Sequence, residues 1–186
     1  MLKLVTTIVF SIIFSIAIHT QSINQKSTDH NGREILLGKI DKSGLTENSF
    51  NTWFTPNYDA YKVDTKTLKL IKKELNNYTI TAFMGTWCGD SKREVPKFYK
   101  ILEAADYPME QLTFIAVGNS KTNYKKSPTG EEKGLNIVRV PTFIFYKNGK
   151  EVNRIIEDPV VSFEKDIEAI ITGKTYVPNY AEMKVK

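Results

Sequence analysis

The chain has 186 residues, with 26 Lys and Arg against 21 Asp and Glu, a formal net charge of +5, one cysteine and two histidines. A single cysteine excludes an internal disulfide framework, and the histidines are too few and too close to the N-terminus for a cysteine–histidine zinc site or a Cys–His dyad, so no metal and no cofactor is expected. The basic residues are spread without an arginine-rich or basic–aromatic block and no glycine-rich phosphate loop occurs, which excludes a nucleic-acid partner and nucleotide chemistry from the reading.

Residues 1–22 read as a secretory signal peptide, with Lys3 as the positive start and residues 4–18 as an uncharged, largely apolar run. A spanning helix needs about 20 apolar residues, so removal is favoured over retention as a stable membrane anchor. The expected location is exported, in a periplasm or the extracellular space. Roughly 165 residues then remain, enough for one domain with a substantial core.

Residues 23–63 are read as an N-terminal extension. A polar lead-in is followed by a strand over 33–40 and a short helix over 46–54, where Phe50, Trp53 and Phe54 share one face and Pro56 ends the helix. Tyr58 and Tyr61 extend this aromatic cluster, which suits packing against the core better than a peptide-binding surface. Asp64 is placed to cap a helix to about residue 76, burying Leu68, Ile71 and Leu75 and leaving Lys66, Lys69, Lys72 and Lys73 in water.

Residues 79–84 and 112–117 are short apolar runs of the kind that form central strands covered on both faces. Between them, Thr86-Trp87-Cys88-Gly89 makes a turn, and a helix opens at Asp90 and Ser91 and continues toward residue 102. Strand, helix and strand in that order predict a parallel βαβ unit with Cys88 at the carboxyl edge of the sheet, where open α/β sheets keep their chemistry. Residues 118–134 are polar with alternating charges and read as a solvent-exposed connection, with bordering the site and choosing partners as the alternative. Asn148-Gly149 between alternating runs predicts a two-residue hairpin. Val160, Phe163, Ile167, Ile170 and Ile171 have helical spacing, Gly173 stops the helix, and residues 175–186 form a tail without periodicity.

A lone cysteine is ordinarily a small hydrophobe, but at a helix N-terminus unpaired N–H groups and the helix dipole favour the thiolate. Terminus effects of about 0.3 to 1 kcal/mol are modest, so hydrogen bonds have to supply the rest of any activation.

Trp87, Cys88, Gly89, Lys92 and Pro96, followed by Val140-Pro141-Thr142 and its hairpin, resemble the active-site and cis-proline segments of the thioredoxin superfamily. The resemblance runs from Asp64 to Gly173. It implies a thioredoxin-like α/β fold, a central mixed sheet flanked by helices, over residues 64–174. The family's second cysteine is here Ser91, a Cys-x-x-Ser variant; its usual proline is Asp90, whose charge disfavours the thiolate and is partly offset by Lys92 and Arg93; its buried acid is Ala82.

By that resemblance Cys88 is catalytic, Ser91 donates a hydrogen bond to its thiolate, and Trp87, Gly89, Asp90, Val140 and Pro141 bind substrate. A cis Pro141 lets the Val140 backbone pair with an extended segment. Ser91 cannot attack a disulfide, so the implied activity is monothiol exchange, isomerase-like or deglutathionylating. Its partners are protein disulfides or glutathione adducts and an external resolving thiol, and its role lies in cell redox homeostasis. Two alternatives stay open: a noncatalytic peptide-binding or chaperone-like module using the groove near Trp87, Val140 and Pro141, and a reducible dimer through Cys88.

Overall fold

Six strands, β1 (Gln25–Thr28), β2 (Glu34–Ile40), β3 (Thr79–Met84), β4 (Leu112–Ala116), β5 (Thr142–Lys147) and β6 (Lys150–Ile156), pair in the order β1-β2-β4-β3-β5-β6. They belong to a computed structural model that describes residues 22–185; but for Ser22, the signal-peptide segment lies outside the described residues. β3 and β4 are parallel, from Ile80 opposite Leu112 to Met84 opposite Ala116, and the other neighbours are antiparallel. The helices are α1 (Lys42–Leu45), α2 (Asn48–Ala60), α3 (Thr65–Leu75), α4 (Gly89–Ala104) and α5 (Phe163–Ile171). α4 joins the two parallel strands, as the βαβ pattern predicts.

Strand alternation divides the apolar residues between two cores. Ile80, Ala82, Met84, Phe114, Ala116, Phe143 and Phe145 belong to the larger one, to which all five helices contribute. Phe83, Ile115, Val117 and Ile144 face the other way, and there the cover is Ile137 and Val140 from the connection between β4 and β5. No described helix contributes to this smaller core. An irregular segment does the work of a helical layer.

The segment before β3 is joined to the same sheet. β2 pairs with β4, Gly38 opposite Ala116 and Ile40 opposite Phe114, and Leu36 and Ile40 enter the larger core. The expected stop at Pro56 does not occur, and α2 runs on to Ala60. An internal proline costs about 3 kcal/mol, yet Phe50 and Phe54 are both buried at roughly 1.5 to 3 kcal/mol each, which outweighs it. Phe54 stacks on Tyr58 at 6.0 Å and meets Tyr99 of α4 edge-on at 5.8 Å. Asn57 donates to the Trp53 carbonyl at 2.8 Å and to the Lys92 carbonyl at 3.3 Å, fastening α2 to α4.

Asp64 caps α3 by accepting from the Lys66 and Thr67 N–H groups. Asn148 and Gly149 both take positive φ, 51° and 74°, as a tight hairpin requires. α5 begins three residues later than the apolar spacing predicts. Ser162 caps it, and the Asp166 carboxylate accepts from the Val160 and Val161 N–H groups at 2.6 and 3.2 Å, folding those residues into a turn. Val161 is consequently 75% exposed.

Asp29, after β1, accepts from the Asn31 and Arg33 N–H groups and from Asn119 Nδ2 at 3.2 Å, tying the β1–β2 turn to the chain beyond β4. The Arg33 N–H first, then Asn119, the Asn31 N–H and the Arg33 charge, hold its carboxyl down to about 2 against the opposing effect of burial. The unfolded carboxyl titrates near its usual 3.8, so this stabilisation is complete above that pH and is lost as pH falls toward 2. Asp29→Asn is expected to flatten the acid side of the stability profile, measured as urea midpoints from about pH 5 down to about pH 2.

Candidate functional site

β3 ends at Met84 and the chain turns through Gly85, Thr86 and Trp87 into α4. A Cβ on Gly85 would lie 2.5 Å from the Trp87 ring, so only glycine lets the indole lie along this backbone. Trp87 Nε1 donates to the Val117 carbonyl at 2.8 Å, and the ring packs on Tyr124 at 5.6 Å. The buried Thr86 hydroxyl accepts from the Leu36 N–H at 3.1 Å, so β2 braces the same turn. Cys88 N–H closes it on the Gly85 carbonyl at 2.9 Å.

Cys88 is the N-cap residue of α4, with φ −85° and ψ 131°, and the helix opens at Gly89, one residue before the expected start. Its side chain makes no cap bond. The half-buried thiol instead donates to the Val140 carbonyl at 3.3 Å, across 52 positions of sequence. The Val140–Pro141 peptide is cis. Cys88, Trp87, Val140 and Pro141 are thus gathered at one sheet edge, and Trp87 and Cys88 both pack on the smaller core.

Ser91 is fully buried, and its oxygen accepts from the Gly85 N–H at 3.2 Å. The backward tilt of helical side chains carries this hydroxyl under the turn, where it bonds to backbone and not to the sulfur. Gly89 is exposed, and a Cβ there would meet nothing within 4 Å, so the approach to the first turn is open. Asp90 pairs with Arg93 at 2.8 Å; Arg93 also reaches the buried Glu94, whose two oxygens both lie 3.0 Å from Lys97 Nζ. Lys92 takes no part in this network among the described residues. Ala82 is completely buried, so the position of the family's acid holds a methyl group.

The segment read mainly as a solvated connection supplies particular groups, Tyr124 and Lys125, that the sequence did not single out. Tyr124 covers Trp87, and Lys125 Nζ donates to the Val138 carbonyl. Burial first, then the like charge of Arg139, push the Lys125 ammonium below its ordinary pKa, while Cys88 and Glu157 pull it the other way. That lysine shares the electrostatic surroundings of the sulfur. Arg139 lies over the Tyr180 ring at 4.9 Å with its Nε buried and, among the described residues, unpartnered. On the opposite rim, burial first and then Glu157 and Glu94 raise the Asp158 carboxyl. The tail is held in place too, through Tyr176 on Asp166, Asn179 on the Asp158 carbonyl and Met183 on Asn136. Tyr124, Tyr176 and Tyr180 stand as aromatics in polar stretches, the one trace in the sequence of these attachments.

A mixed sheet carrying a cysteine at a helix N-cap beside a cis-proline defines a thioredoxin-like protein. The Thioredoxin family profile matches residues 60–169, and the chain belongs to the thioredoxin family. It is 32% identical over 94 residues to a thioredoxin-like protein of Acanthamoeba polyphaga mimivirus, covering 50% of this chain and 63% of that protein. It is 30% identical over 90 residues to Thioredoxin-1 of Schizosaccharomyces pombe, covering 48% of this chain and 78% of that protein. Among solved structures, mitochondrial thioredoxin 3 of Saccharomyces cerevisiae aligns at 26% identity and a TM-score of 0.36, covering 60% of this chain and 97% of that one. Fasciola hepatica thioredoxin aligns at 23% and 0.35, covering 57% and 89%.

Gly85→Ala forces its new methyl into a rigid indole, and the expected cost is about 1 to 3 kcal/mol. Urea unfolding measures that cost, and a change in tryptophan emission reports the displaced Trp87 ring. An unaltered midpoint and spectrum contradict the close approach.

Proposed function

We propose that this protein performs monothiol thiol–disulfide exchange through Cys88 after export to a periplasm or the extracellular space. The observation that carries the reading is the sulfur's position: at the N-cap of a 16-residue helix, half-buried, and 3.3 Å from the Val140 carbonyl. The apolar run at residues 4–18 supports export.

In the proposed reaction the Cys88 thiol loses its proton to solvent, and the thiolate attacks one sulfur of a protein disulfide or glutathione adduct. A Cys88–substrate S–S bond forms as the original S–S bond breaks, and the second sulfur leaves as a thiolate. The backbone at Val140 pairs with the extended chain around the attacked sulfur, Trp87 walls one side, and the open surface at Gly89 admits the approaching backbone. Asp90, neutralised by Arg93, sits at the rim. With Ser91 in the resolving position, an external thiol or a second substrate cysteine completes the cycle.

One observation favours a second reading, a noncatalytic peptide-binding module. The Ser91 hydroxyl accepts from the Gly85 N–H, and among the described residues no hydrogen bond joins it to the sulfur. On that reading partner binding survives loss of the sulfur.

Incubation with glutathione disulfide and intact-mass measurement tests the proposal. The wild-type chain is expected to take up one glutathione and keep it until a free thiol is added, and Cys88→Ala to take up none. Ser91→Cys supplies a resolving thiol and is expected to discharge the adduct without added thiol. A wild-type chain that stays unmodified while folded contradicts exchange.

A further inference from the structure

The 118–134 loop, residues 136–138 and the C-terminal tail enclose a groove of about 680 Å³. Two of its lining residues reach toward the site: Tyr124 packs on Trp87, and Lys125 interacts electrostatically with Cys88. Tyr124, Ile137 and Val138 make an apolar floor, and Met183 and Val185 add apolar side chains from the tail. Asn136 clips that tail down, donating to the Met183 carbonyl at 3.0 Å and accepting from the Val185 N–H at 2.8 Å.

The rim is cationic. Lys126, Lys133 and Lys184 line the groove, and among the described residues their ammonium groups have no carboxylate partner. The one carboxylate lining it among the described residues, Glu132, faces Ser127, accepting from that residue's N–H at 3.0 Å and from its hydroxyl. None of the groove's lysine charges is spent on it.

We propose that this groove receives an acidic stretch of the substrate polypeptide, with apolar side chains between its carboxylates, adjoining the cysteine that Cys88 attacks. The proposal rests on the exchange reading. Unpaired ammonium groups select carboxylates and repel basic segments; the apolar floor has no use for a bare inorganic anion; and the reach of Tyr124 and Lys125 toward the site suits a segment covalently joined to the attacked sulfur. The volume lies in the range of pockets that hold a few side chains.

The test compares two synthetic peptides of equal length, each a mixed disulfide between its cysteine and nitrothiobenzoate. One carries Asp, Glu and Leu beside the cysteine; in the other Lys replaces each acid. Cys88 attack forms the Cys88–peptide S–S bond and releases coloured nitrothiobenzoate thiolate. At low salt the acidic peptide is expected to react about tenfold faster. The combined Lys126→Glu, Lys133→Glu and Lys184→Glu variant is expected to lose that preference while its rate with neutral dipyridyl disulfide stays unchanged. Equal rates for the two peptides, or a preference that survives the substitutions, overturn the groove assignment and leave exchange standing. If dipyridyl disulfide does not react with the folded wild type, the exchange reading falls instead. The groove is then judged by fluorescence anisotropy of the labelled acidic peptide, without its disulfide, on Cys88→Ala. Binding abolished by the three lysine substitutions supports the groove, and absence of binding overturns it.

Discussion

The register of β3 between its two neighbours is the constraint on which the site depends. Met84 lies opposite Ala116 on the parallel side, and Phe83 lies opposite Thr142 on the antiparallel side. Three stretches of chain therefore leave the sheet at one edge: the Gly85 turn, the segment from Val117, and the arrival at Pro141. The Trp87–Val117 and Cys88–Val140 hydrogen bonds are consequences of that coincidence. A slip of one residue would exchange the faces of β3, sending Phe83 into the helical core and Ile80, Ala82 and Met84 out of it. The aromatic packing of Phe98 on Phe143 at 4.1 Å, and of Phe143 on Phe163 at 5.4 Å, favours the observed alignment.

The two faces of the sheet are finished differently. On one, helices bury a continuous apolar layer. On the other, the chain between β4 and β5 covers a smaller core with irregular backbone, held by contacts such as Tyr124 on Trp87 and Lys125 on Val138. A helix there would present its side chains at fixed spacing. The irregular cover leaves a groove whose lining includes buried Ile137 and Val138 and exposed Tyr124.

Much of the framework was legible in the chain because it rests on local rules. The runs at 79–84 and 112–117, the Asp64 cap and the Asn148-Gly149 hairpin follow from periodicity, capping and φ preference, and the sequence resemblance carried the cis peptide at Pro141. What escaped was set by distant partners. Pro56 stays inside α2 because Phe54 finds Tyr58 and Tyr99. Val160 and Val161 leave α5 because Asp166 holds their N–H groups. Ser91, three residues from Cys88, was expected to serve the sulfur, but the helix turns its hydroxyl toward Gly85. Lys125 and the tail residues carry no periodic signal, since each acts through one long-range bond that composition does not encode.

The central claim is that the fold presents the Cys88 sulfur for reaction and does not merely bury it. Its most direct test is the alkylation rate of Cys88 by iodoacetamide at one pH in the folded chain and in the chain unfolded by urea. The folded protein is expected to react at least as fast as the unfolded one. A sulfur that is alkylated only as the chain unfolds would contradict it.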